Sequence, residues 1–152
     1  MTTLAVLAVL LLRVHVWPWL IDKLSRPASP AEMDEIAIAA MPRTVPHFLQ
    51  GSKQLFAVTI AGRDPGPKLL PRLSHGKFTA LPGSMAHFTA QGLPSMGRFV
   101  VNVEPFRIEP FGTATGMVSS TYGNLGCEGW RFSLTKHHDK WTVTSQGLEF
   151  IC

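Results

Sequence analysis

Trp130, Phe132 and Leu134 alternate with Arg131, Ser133 and Thr135, and after His137-His138-Asp139-Lys140 the apolar positions resume at Trp141 and Val143. A period of two puts the apolar side chains of a strand on one face. Two such runs around a short polar segment predict a β-hairpin whose turn contains His138 and Asp139. The C-terminal part of the chain is thereby committed to antiparallel sheet. Two earlier stretches repeat the signal: residues 98–104 place Phe99, Val101 and Val103 on one face, and residues 113–122 are rich in β-branched residues, with Ala114, Val118 and Tyr122 in phase. Residues 55–60 and 78–81 read as two more strands, the second closed by Pro82-Gly83.

The main helical signal lies in the N-terminal third. Residues 25–30, with Pro27 and Pro30, read as a linker. Ser29 is placed as an N-cap, Pro30 at the first helical position, and Glu32 completes a capping box. Met33, Ile36, Ala37, Ala40 and Met41 recur at helical spacing, which gives one apolar stripe, and Pro42 is expected to end the helix. Asp64-Pro65 reads as the cap and first turn of a short helical stretch carrying Leu69, Leu70 and Leu73, and residues 84–97 read as a loop. One helix followed by strands predicts an α+β domain over residues 29–152, an N-terminal helix packed on one face of an antiparallel meander.

A chain of 152 residues with 45% hydrophobic and 16% charged residues suits one such domain and is too apolar for intrinsic disorder. The formal charge of +4 comes from single, scattered Lys and Arg residues. Nucleic-acid binding needs a concentrated basic stripe, so no nucleic-acid partner is expected.

Residues 1–24 stand apart. Leu4 to Leu12 is an unbroken apolar run, followed by Arg13, His15 and Trp17-Pro18-Trp19. A stretch from Leu4 to Ile21 would be just long enough to span a bilayer, with the two Trp residues in the headgroup belt. The same run fits the core of a signal peptide, but Met1-Thr2-Thr3 has no basic side chain and no Ala-x-Ala site follows. An amphipathic or core helix of a soluble protein is the third reading. Lys23 and Arg26 follow the run and nothing basic precedes it, which by charge alone would leave the domain in the cytoplasm.

Arg63-Asp64-Pro65, Gly126-Cys127-Glu128-Gly129, Lys140-Trp141-Thr142-Val143 and the terminal Phe150-Ile151-Cys152 together resemble a loose group of small, uncharacterised bacterial envelope proteins. The Lys-Trp-x-Val return is also similar to hairpins of nuclear-transport-factor-2-like and cystatin-like domains. The resemblance implies a helix on a curved sheet and a membrane-anchored or periplasmic location, with the domain on the outer side of the inner membrane. It carries over no catalytic residue.

No residue set implies a cofactor. His137-His138-Asp139 is the one cluster among six histidines, and neighbouring strand residues point to opposite sides, so no metal site is expected there. Gly112-Thr113-Ala114-Thr115-Gly116 lacks the Lys-Ser/Thr ending of a phosphate loop, and neither Gly83-Ser84-Met85 nor Ser119-Ser120 has a nucleophile-elbow frame. Asp64, Glu104, Glu109, Glu128, Asp139 and Glu149 show no paired-carboxylate spacing. Cys127 and Cys152 are the only cysteines. In an oxidising compartment they would form a disulfide tying the terminal strand to the Gly126–Gly129 turn, and in the cytoplasm both would stay free. The leading functional expectation is a non-enzymatic, membrane-associated or envelope accessory domain, its partners the membrane and an unidentified protein. One alternative is a small enzyme of the nuclear-transport-factor-2-like type using Asp64 or His47 in a pocket between helix and sheet. The other is an interaction protein of the immunity type.

Overall fold

The computed structural model describes residues 17–44, 54–86, 98–122 and 126–152. In chain order the elements are α1 (Trp17–Leu24), β1 (Arg26–Pro27), α2 (Pro30–Thr44), β2 (Gln54–Ile60), α3 (Leu70–Leu73), β3 (Phe78–Pro82), a 3₁₀ turn (Gly83–Met85), β4 (Arg98–Val103), β5 (Arg107–Ile108), β6 (Thr113–Tyr122), β7 (Cys127–His137) and β8 (Lys140–Ile151). The class is α+β, with a mostly antiparallel eight-stranded sheet.

α2 begins at the capping box that the sequence predicts. Glu32 accepts the Ser29 backbone N–H at 2.8 Å and returns its own N–H to Ser29 Oγ at 3.4 Å. Arg26 closes a two-pronged pair on the same carboxylate at 2.6 and 2.8 Å. The Arg26 guanidinium, helped by Ser29, holds the Glu32 carboxyl down at about 2. A carboxyl depressed on folding stabilises fully above its unfolded value near 4.5, and that contribution is lost as pH falls toward about 2. Glu32→Gln should therefore cost about 1 kcal/mol at neutral pH. Urea titrations should show the gap to the native chain closing on acidification, and a gap unchanged at low pH would contradict this account.

Met33, Ile36, Ala37, Ala40 and Met41 all lie buried, Ile36 at 0% exposure, so the helical stripe faces the sheet as its spacing requires. On the rim, Asp34 pairs with Arg63 at 2.8 Å and Glu35 takes both nitrogens of Arg72, tying the helix to the segment after β2. Pro42 does not end α2, which runs to Thr44. Proline removes one N–H from the ladder, the one that would meet the Ile38 carbonyl, and past it the last turn is closed by Thr44 Oγ1 donating to the Met41 carbonyl at 2.9 Å.

The sheet order is β3-β2-β4-β6-β7-β8, with β5 beside the first half of β6 and β1 beyond β5. β6, β7 and β8 form the expected meander. Its tight turn is His138-Asp139, both at positive φ (46° and 63°) between the paired His137 and Lys140. Two left-handed residues match the twist of a hairpin. β2 departs from the meander and runs parallel to both β3 and β4. Residues 61–77, which include α3, connect β2 to β3 as a crossover in place of a hairpin turn. Part of the expected linker is also structured, since Arg26 and Pro27 pair with Ile108 and Arg107.

The inner face carries Phe56, Val58, Ile60, Phe99, Val101, Val103, Val118, Phe132 and Leu134, all buried beneath α2 and its neighbours. Phe106 lies across β6 where Gly116 leaves room, since a Cβ there would stand 2.5 Å from the ring. The outer face of β6 and β7 presents Thr115, Met117, Ser119, Thr121, Arg131 and Ser133. One apolar and one polar face is the usual economy of an antiparallel sheet with a single helical layer.

Candidate functional site

Phe106, over Gly116, marks the N-terminal end of α2 through its N–H to Met33 Sδ, 3.3 Å. Gln146 marks the other end by donating to the Arg43 carbonyl at 3.2 Å, and Gly116, Phe132 and Gln146 pair across one row of the sheet. The helix thus crosses the inner face along that row. Ser120 and Glu128 form a directly opposed pair four residues farther along β6 and β7, roughly 13 Å from the row at the rise of a strand. Opposed residues share a face, so Glu128 projects on the side of buried Val118 and Phe132.

There the chain assembles a polar cluster in an otherwise apolar surface. Glu128 Oε1 accepts the Tyr122 hydroxyl at 2.6 Å, and Oε2 accepts Trp130 Nε1–H at 3.2 Å. Burial, and then the bond to Glu128, push the Tyr122 phenol well above the usual tyrosine range, so it stays a protonated donor. Ser120 is 1% exposed and its Oγ makes no hydrogen bond among the described residues. Glu128 takes part in no ion pair among them, whereas Glu32, Asp34, Glu35 and Glu149 each have an arginine. The arrangement is thus a half-buried carboxylate held by two neutral donors, beside a buried hydroxyl with spare hydrogen-bonding capacity.

The cluster is braced by the chain terminus. Cys127 and Cys152 are joined in a disulfide with Cα atoms 5.1 Å apart, and Cys152 N–H donates to the Cys127 carbonyl at 3.0 Å. Gly126, at φ 103°, lets the terminus approach, because a Cβ there would lie 2.2 Å from the Cys152 carbonyl oxygen. The same glycine accepts the Tyr122 N–H at 3.0 Å and so aligns the ends of β6 and β7.

The other candidates from the sequence fall elsewhere. Asp64 is exposed and caps the wrong element for the sequence reading, accepting the Ser84 N–H of the 3₁₀ turn at 2.9 Å. The Gly66 carbonyl, which accepts Leu69 and Leu70 N–H, starts the turn of α3 instead. The Ser84 bonds lower the Asp64 carboxyl, and its exposure removes it as a buried acid. His47 lies outside the described residues, as do His15, His87 and the apolar run from Leu4 to Leu12. His137, His138 and Asp139 sit in the exposed hairpin turn. Among the described residues, no three His, Cys, Asp or Glu are grouped to hold a metal ion, and no helix is long and apolar enough to cross a membrane.

Sequence reasoning passed over Ser120, Tyr122, Glu128 and Trp130 as a group. A signal was present: extending the period-two phase of Phe132 back through Trp130 puts Glu128 on the core face. Comparison with known proteins returns no matching family model, no matching curated protein and no matching solved structure.

Proposed function

We propose that this chain is a non-enzymatic accessory or binding domain that works at a membrane surface of the bacterial envelope, on its oxidising side. The observation that carries the reading is the exposed apolar patch around α1. No residue of α1 is buried, yet Trp17, Leu20 and Leu24 follow helical spacing on one stripe, and Trp19 is 59% exposed. Phe111, 72% exposed, stacks on Trp17 with ring centroids 6.0 Å apart. The patch is fastened to the domain: Arg107 reaches both the Asp22 carboxylate and its backbone carbonyl, and Ser25 N–H and Oγ–H both bond the Ile21 carbonyl. An exposed aromatic and aliphatic stripe beside Lys23, four residues beyond the end of a nine-residue apolar run, has the composition of an interfacial helix. The Cys127–Cys152 bond agrees with an oxidising compartment.

Flotation of the full chain with phosphatidylcholine–phosphatidylglycerol vesicles tests this. The protein should rise with the lipid, and brominated lipid should quench its Trp emission. Trp17→Phe combined with Trp19→Phe should remove most of that quenching, because Trp130 and Trp141 lie in the sheet. Protein left at the bottom of the gradient would refute the reading.

A further inference from the structure

We propose that Glu128 and Ser120 form a binding site for the ammonium group of a small organic amine. A buried hydroxyl without a partner is costly unless something completes it, and a partly exposed carboxylate that has no cation is open to one. Here they are cross-strand neighbours on one face. A carboxylate offers about four acceptor positions, and Tyr122 and Trp130 occupy one on each oxygen, leaving acceptor capacity on both. Ser120 Oγ adds another acceptor on the opposed strand. The site is therefore rich in unused acceptors and carries one net negative charge.

That character selects the ligand. An anion is repelled by Glu128. A calcium-like ion needs six or more oxygen ligands, and Glu128 belongs to no group of three or more His, Cys, Asp or Glu among the described residues. A water molecule would satisfy Ser120 but leave the charge unmatched. A primary ammonium brings three donors and one positive charge. The Trp130 ring, partly exposed and fixed by its indole N–H to the same carboxylate, stands next to it to receive the alkyl part or the cation itself. Glu128 and Trp130 are partly exposed while Ser120 is covered, so a ligand arriving from solvent meets the carboxylate first.

The experiment is a ¹⁵N NMR titration of the full chain in zwitterionic micelles with n-butylammonium chloride, and with n-butanol, sodium butyrate and sodium chloride as comparisons. The reporter is the Trp130 indole N–H, assigned by its loss in Trp130→Phe. A saturating shift is expected with butylammonium alone. Glu128→Gln should weaken it about tenfold or more, the weight of a charge-assisted hydrogen bond. Ser120→Ala should weaken it several-fold, and because that change only deletes an unpaired hydroxyl, the fold is retained. A shift that never saturates, an equal response to butanol, or undiminished binding in both variants would overturn the proposal. The readout does not depend on lipid, so failure of vesicle flotation leaves it standing, and the reverse also holds.

Discussion

Trp141→Ala should lower the free energy of unfolding by about 3 to 5 kcal/mol, the usual range for deleting a large buried aromatic. Trp141 is 8% exposed although it is only the second residue of β8, one step from the hairpin turn. It joins the cluster around Phe132 and Leu134, and the Lys136 ammonium lies 5.9 Å from its ring centroid, opposite it in register. The cation contributes well under the burial, about 0.5 to 1 kcal/mol at an exposed position. The cavity left by alanine would open against residues held by the sheet, with little room to relax. Urea titration followed by far-UV circular dichroism gives the number. A loss well below 1 kcal/mol would show that the side chain is not a core anchor. Trp130→Ala should cost less, because Trp130 is only half-buried.

Removing the Cys127–Cys152 bond should cost about 3 kcal/mol. Its sequence separation of 25 residues sets that scale in the chain-entropy account of cross-links. The effect should also be local. Ile151 and Phe150 pair with Glu128 and Gly129 at the sheet's edge, and Ile151 is 68% exposed, so little apolar burial holds the last turn of pairing. With Cys127→Ala and Cys152→Ala, amide exchange of residues 148–151 should rise while α2 and β6 stay protected. The Glu128 cluster should loosen with it, since Cys127 precedes Glu128 directly. Non-reducing peptide mapping of protein from its native host supplies the companion measurement: two freely alkylated cysteines would remove both the bond and the main support for an oxidising location.

Three features were legible in the sequence because each rests on contacts within a few residues. The capping box at Ser29 and Glu32 needs only the first turn of a helix. The stripe from Met33 to Met41 needs only helical periodicity. The hairpin turn at His138-Asp139 follows from two alternating runs with a polar centre. The site was less legible. Glu128 shares the period of Trp130 and Phe132, but its place opposite Ser120 depends on the register of β6 against β7.

What the tertiary structure alone decided concerns strand direction, neighbours and the partners of polar groups. Residue alternation is identical in parallel and antiparallel strands, so nothing local in Gln54–Ile60 says that β2 lies between two parallel neighbours. The Arg26–Pro27 linker became a strand only because β5 presents a free edge to it. Asp64 found the Ser84 N–H twenty residues away in place of the helix that follows it. Periodicity encodes which face of an element is buried, a property of one element by itself. Which other elements bury that face is a property of the whole chain, set by which long-range contacts together remove the most apolar surface from water.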